Sequence, residues 1–432
     1  MNPIQSKSIA ATIEFLSPVH VGSGEVIEPN EYFIKEGHLH KLNMPRFIQQ
    51  LSKDKLNAFL KGIDEDNLVM LRTFPADNAK SESVDFKIPV SKTIIKEYNE
   101  KVRNLNNRLE IHLFPLDGIR RTPYLPGSSL KGAFRTGVVD VLTQKLSPQI
   151  VSEFVREPRS FESKVLKYER DIRKDIFKVL KLPDITLDSG DTEIVDCYNF
   201  KPHKGMSNTF DQRMEVTYSK VSRPNHSKKY PFQFVWNDDL MIAGNLPIKF
   251  TLNDIGNYCN IHYFQILRYE MKKFFSGEKK SPMLETLNTL KLNPDQFLIR
   301  LGRFGHVESK TVDKHRNPKV RWDHKHNKSY GWGRTRTLAN DQYPLGWAII
   351  TIPGMQFAAI PDNLSEPTGI GGGYKEDTRI VKEATSNNPQ TPRGNENRPR
   401  PQQGGGYREQ GKSNIQSPST YNPFKDIKKD KR

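Results

Sequence analysis

Cysteine is nearly missing from this 432-residue chain: Cys197 and Cys259 are the whole supply. Two thiols so far apart exclude a disulfide framework and a CxxC metal site, and they fit a reducing cytoplasm. No stretch approaches 18 consecutive apolar residues, so no membrane partner is expected. The opening MNPIQSKSIAATIEF lacks the apolar core of a secretory signal. The patterns GxxxxGK[ST], HExxH and GxSxG do not occur, which removes the P-loop, zincin and α/β-hydrolase readings. Only 35% of residues are hydrophobic, yet 23 Phe, 15 Tyr and 4 Trp can fill a sizeable core, so a wholly disordered chain is excluded.

Acidic residues are the scarce sign. Lys and Arg number 67 against 50 Asp and Glu, a net charge of +17, which points to a polyanionic partner and most simply to nucleic acid. The composition shifts near Pro361. Residues 375–432 carry 13 basic and 7 acidic residues but only three aromatics, with Pro, Gly, Asn, Gln and Ser dominant. Such a segment cannot offset its ordering entropy, so 361–432 reads as a disordered basic tail. Residues 1–374 stay basic at +11.

Strand and helix patterns interleave without strict alternation, which gives the α+β class. Ile9, Ala11, Ile13 and Phe15 alternate as a strand over 8–16, and 109–114 repeats that period. Helices are expected over 45–61, 91–106, after Gly127, and over the charged stretch 159–181. Further strands are expected at 192–200, 214–221, 232–236, 246–252, 297–303 and 345–352, and further helices near 258–275 and 283–290. Residues 201–230 read as a basic flexible loop.

Three constellations carry chemistry. In PGSSLKGAFR, Gly127 makes a turn, Ser128 or Ser129 serves as N-cap, and Leu130, Phe134 and Val138 mark a buried stripe. A helix N-terminus suits a phosphate, and Lys131 and Arg135 lie one turn apart to reinforce it. The same residues equally make an ordinary capped helix with solvated charges. Next, Gly302-Arg303-Phe304-Gly305 follows an apolar strand, where two glycines would let backbone approach a ligand. Around it, residues 300–336 hold eleven Lys and Arg against three acidic residues, among them Arg316, Arg321, Arg334 and Arg336, with Trp322 and Trp332 interleaved. Cations with ring faces are what single-stranded nucleic acid requires. Last, His20 precedes the tight turn Gly22-Ser23-Gly24, which would let backbone approach RNA. His306, His315, His324 and His326 come without cysteine, so solvated loop histidines are the reading and no metal or cofactor is expected.

The segments LSPVHVGSGE, YLPGSSLKGAFR, RLGRFGHVESKT, YGWGRTRTL and PLGWAIITI resemble the RAMP superfamily of CRISPR-associated RNA-binding proteins, over about residues 8–352. Their order is most similar to that of the backbone-capping subunits of type III-A (Csm) effector complexes. The resemblance implies tandem ferredoxin-like (RRM-like) domains with helical insertions, at 1–190 and 191–360, with the glycine-rich loop at 302–305. It implies a non-catalytic subunit that binds CRISPR RNA and target RNA, neighbours the repeated backbone subunits, and assists guide maturation together with host ribonucleases. Two rival readings share the residues: a metal-independent endoribonuclease with His20 as general acid–base, or a protein-interaction scaffold whose charge serves its neighbours.

One expectation is testable at once. Trimming the chain to residue 374 should leave the melting temperature nearly unchanged, as read by differential scanning fluorimetry, because the tail lacks apolar content to pack. Aggregation or a drop of many degrees would show that it docks.

Overall fold

The period-2 pattern at the start of the chain folds as expected into strand β1, Lys7–Phe15. In this computed structural model the described residues are 6–361 and 364, apart from 156–159, 170, 202–204, 220–227, 244, 276–281, 311, 313–320, 324–327 and 331–334. They fall in one unit, Met1–Gly372. All but a few residues of the expected tail lie outside the described residues.

β1 is the middle strand of a five-stranded sheet completed by β2 (Leu180–Lys181), β3 (Lys229–Trp236), β4 (Gln296–Arg300) and β5 (Trp347–Thr351), in the order β4-β5-β1-β3-β2. Ile13 stands opposite Tyr230 on one side and Ile350 on the other. Phe297, Leu298, Ile299, Trp347 and Ala348 have no exposed surface, so β4 and β5 are covered on both faces, and their unbroken apolar runs follow from that. β1 and β2 come from the expected first domain and pair with strands of the second, so this sheet runs across residue 190. Every described pair in it is antiparallel. The sheet takes strands from both sides of the expected boundary at residue 190, so two separate tandem units are not read from these pairings.

Two helices line this core. Helix α1 (Gly127–Gln144) packs Phe134 against Phe297 of β4, ring centroids 5.4 Å apart. Helix α2 (Leu252–Phe274) starts with a reciprocal cap in which Thr251 and Asp254 each accept the other's backbone N–H. The helices cross closely at Gly137, where a Cβ would stand 3.2 Å from the Cα of Cys259. Tyr263 Oη donates to the Ala133 carbonyl at 2.9 Å, and the buried His262 Nδ1 lies 2.7 Å from Asp140 Oδ2.

A second sheet is built on the hairpin Thr192–Lys201 and Gly205–Thr217, flanked by Arg336–Ala339 on one side and Ile111–His112 on the other. The expected flexible loop at 201–230 is therefore in large part strand. Between the turn after β1 and Ile111, an insertion folds a three-stranded sheet, Tyr32–Lys35, His38–Leu42 and Val84–Pro89, with helices packed around it. Its own small core contains Tyr32, Leu39, Ile88 and Ile94.

Several local expectations are corrected. The helix over 45–61 is two helices, Met44–Gln50 and Lys53–Asp64, because Ser52 turns out of the first and caps the second through Lys55 N–H. Among the described residues of the charged stretch 159–181, only Phe161–Val165 is α-helix. Asp171 and Asp175 then accept the N–H of Arg173 and Phe177, and these side-chain caps divert the backbone into two 3₁₀ turns. Residues 246–251 form no strand, and Leu252 already opens α2. Among the described residues, no helix is long and apolar enough to cross a membrane.

Candidate nucleic-acid interface

The α1 N-terminus disagrees with the sequence expectation. Pro126 occupies the cap position and no side chain caps it, so neither Ser128, which is exposed, nor Ser129 plays that role. The anion at this helix end is the chain's own. Asp184 Oδ1 accepts the Gly127 N–H at 2.8 Å, and the carbonyls of Leu182 and Pro183 stand where a Cβ on Gly127 would be. Lys131 donates Nζ to the Leu180 carbonyl at 2.8 Å, and burial lowers its pKa. Arg135 is held by Glu162 at 2.5 Å and by both oxygens of Asp175 at 2.7 and 3.2 Å, with its guanidinium 4.9 Å from the Phe177 ring centre. Gly127, Lys131 and Arg135 thus fasten α1 to residues 162–184, each making at least one hydrogen bond within the fold.

The glycine-rich loop is different. Leaving β4, Leu301 donates N–H to the Gly346 carbonyl at 2.8 Å, and Gly346 donates to Pro18 at 2.8 Å. Arg303 then donates N–H to the carbonyl of His20 at 2.8 Å. Gly302 has φ +76° and lies against that same carbonyl, so a Cβ there would collide with backbone. Gly305 is not so constrained, because its φ is unexceptional and a Cβ would find ordinary contacts from 3.6 Å outward. The two glycines expected to let backbone approach a ligand therefore differ, and the close approach at Gly302 is to the chain's own His20 carbonyl. Phe304 at φ +61° and His306 at +58° carry the strain instead.

The loop brings Arg303 to His112, Nη1 to Nδ1 at 3.4 Å, with the guanidinium 5.3 Å from the centre of the Phe304 ring. Arg303 and Phe304 are both half-buried, so each keeps a solvent-facing part. Burial, with the Arg303 charge beside it, lowers the pKa of His112. A cation resting on a ring at a half-open rim offers charge to a phosphate and a ring face to a base.

His20 lies behind this rim. It has no exposed surface; its Nδ1–H donates to the Glu215 carbonyl at 2.6 Å, and Nε2 is buried without a partner. Burial, then the Arg303 and His112 charges, pushes its pKa down to about 4. With no exposed surface the His20 ring cannot meet RNA directly, so the contact expected of it is corrected to that of a support. Its carbonyl, not its ring, meets the loop. Ser23 ties the following turn to the Leu113 carbonyl at 3.2 Å, Gly24 supplies a φ of +85° in open space, and Gly22 leaves room for the His20 ring.

Of the basic cluster, Arg336 is a second correction. It is completely buried, bonded to Glu308 at 2.9 Å and stacked 3.8 Å from the Phe274 ring centre, so no RNA can reach it. Arg321 and Trp322 lie in a strand, Arg321–Asp323, paired with Lys328–Tyr330. Arg316, Trp332 and Arg334 lie outside the described residues. Sequence reasoning missed His112, Asp184, Glu215 and Gly346. Only Gly346 left a trace in the sequence, a glycine before an apolar strand, which takes φ +100° here. Among the described residues, no three His, Cys, Asp or Glu side chains gather to hold a metal ion.

The α+β frame has counterparts among known proteins. The RAMP superfamily profile matches residues 12–308, more than half of the chain, which belongs to that superfamily. The chain is 23% identical over 312 residues to the CRISPR system Cms protein Csm5 of Methanocaldococcus jannaschii, covering 69% of this chain and 71% of that one. It is 30% identical over 142 residues to the protein of the same name from Enterococcus italicus, covering 29% and 40%. Among solved structures it resembles a chain of a Csm–crRNA–target RNA ternary complex from a type III-A CRISPR-Cas system, with TM-score 0.57, 15% identity, and coverage of 80% of this chain and all of that chain. The T. onnurineus Csm5 crystal structure gives TM-score 0.50 at 15% identity, covering 78% and 99%. At these identities the structural likeness speaks for the fold.

Two outcomes are expected. Gly302→Ala should destabilise the chain by about 2 kcal/mol or more, from the left-handed φ and the His20 carbonyl together, whereas Gly305→Ala should cost under about 1 kcal/mol. Denaturant titration of both variants separates them. Glu215 is fully enclosed, accepting from Thr192 Oγ1 at 2.6 Å and Phe114 N–H at 2.8 Å, and burial pushes its pKa up to about 7. A raised carboxyl contributes stability that is complete below its ordinary value near 4.5 and is lost as pH rises through about 7. Glu215→Gln should therefore gain melting temperature relative to the unaltered chain at pH 8 more than at pH 5. An equal difference at both pH values would contradict this.

Proposed function

We propose that this chain is a non-catalytic, RNA-binding subunit of a type III-A CRISPR effector complex, capping the subunit backbone at the 3′ side of the guide and assisting CRISPR RNA maturation in antiviral defence. The observation that carries the reading is Arg303, half-open to solvent on a loop whose backbone is pinned to the His20 carbonyl. Membership of the RAMP superfamily and likeness to Csm5 proteins and to a chain of a crRNA-bound complex support it. Its partners are CRISPR RNA, target RNA, the repeated backbone subunits, and host ribonucleases recruited for maturation. The RNA track runs from Arg303 and Phe304 into the basic and aromatic stretch 316–334. The three-part division at residues 190 and 360 belongs to the same proposal, with the first two parts sharing the five-stranded sheet.

Filter binding of labelled repeat RNA in EDTA tests this. Arg303→Ala should weaken binding about tenfold with little change in melting, and lower the slope of log K against log salt by about 0.7. Unchanged affinity and slope would overturn the assignment of Arg303. Specific cleavage in EDTA that disappears in His20→Ala would replace the non-catalytic reading with the nuclease.

A further inference from the structure

Two arginines and two glutamates with fully enclosed side chains connect the two ends of the loop that carries Arg303. Arg300, the last residue of β4, meets Glu270 of α2 through two contacts, Nη1 to Oε2 at 2.8 Å and Nη2 to Oε1 at 3.1 Å. Its Nε donates to the Leu345 carbonyl at 3.1 Å, and its guanidinium lies 4.6 Å from the Trp347 ring centre. Arg336 donates Nη2 to Glu308 Oε1 at 2.9 Å and lies beside the same Glu270, Nε to Oε1 at 2.8 Å, as an ion pair without hydrogen-bond geometry. Arg300 precedes the loop and Glu308 follows it, so the ladder Arg300–Glu270–Arg336–Glu308 closes around residues 301–307.

Such a ladder is a weak source of stability, because removing four charges from water offsets most of their attraction. What it supplies is geometry. A guanidinium fork and a carboxylate fit together in few orientations, and Arg300 and Arg336 are stacked on rings that restrict them further. The loop between them needs that restriction. Phe304 and His306 both hold left-handed backbone, a strained state that persists only where the surroundings over-determine it. His306 adds one more tie, its Nε2 accepting the Thr337 N–H at 3.3 Å. Two positive and two negative groups cancel, so the ladder has no net charge with which to attract RNA itself.

We propose that Arg300, Glu270, Arg336 and Glu308 are positioning residues that clamp the ends of the Gly302–His306 loop and so hold Arg303 in the orientation that contacts an RNA phosphate. This rests on the reading of Arg303 given above, and it goes further by making the affinity of an exposed cation depend on charges that never meet the ligand.

A double-mutant cycle on the full chain tests it, with fluorescence anisotropy of a labelled single-stranded RNA of mixed sequence and thermal melting of each variant. Glu308→Gln keeps the side-chain shape while removing the charge that holds Arg336. It should weaken binding about tenfold and lower the salt slope by about 0.7, as Arg303→Ala does. The double variant should lose nothing further, because both changes remove the same contact. Arg336→Lys, which cannot fork between two carboxylates, gives a second route to the same result if Glu308→Gln folds poorly. Losses that multiply in the double variant, or an unchanged salt slope in the Glu308 and Arg336 variants, would reduce the ladder to a core network and overturn the clamp. An Arg303→Ala chain that binds RNA normally would instead overturn the phosphate reading itself.

Discussion

The pairing of β1 with β3 on one side and β5 on the other is the constraint on which the candidate site depends. It brings residues 7–15 between segments more than 200 and more than 330 positions away. Once β1 is in register, the chain leaving it at Ser17 has little freedom. Ser17 Oγ accepts the Trp347 N–H at 2.8 Å, Pro18 accepts from Gly346, and Val19 accepts from Thr217 at 2.9 Å. The His20 carbonyl is thereby delivered to the end of β4, where Arg303 finds it. A side chain at the rim is located by a backbone scaffold reaching across the sheet, and this makes the loop a rigid presenter rather than a loose basic segment.

Legibility in the sequence followed the range of the determining interaction. β1, β4, β5 and α2 were readable because burial writes a local period of two, a continuous apolar run, or a helical stripe. The break at Ser52 and the 3₁₀ turns after Asp171 were not, because a helix former and a cap differ there by one side-chain hydrogen bond. For the site the division is sharper. A glycine-rich loop after an apolar strand could be picked out, with Arg303 in it. That Gly302 rather than Gly305 bears the constraint could not, since the carbonyl responsible belongs to His20, some 280 residues earlier.

The basic residues show the same limit in another form. Counting charge treats every Lys and Arg as available to a polyanion. Lys131, Arg135, Arg300 and Arg336 are instead engaged with carbonyls, carboxylates and ring faces inside the fold. A long side chain with a rigid planar head serves a buried junction as readily as a phosphate. Spacing along the sequence carries no sign of which use has been made. Arg303, half-open beside His112 and the Phe304 ring, differs from the buried Arg300 and Arg336 in its surroundings and not in its chemistry.

Asp184 at the start of α1 has a consequence for selectivity. A carboxylate anchored by the fold acts on its helix end at an effective concentration well above that of any dissolved anion. A dissolved phosphate would compete with it at a disadvantage for the Gly127 N–H. The α1 N-terminus thus meets a carboxylate of its own chain, whereas the Arg303 side chain meets the His112 imidazole and the Phe304 ring.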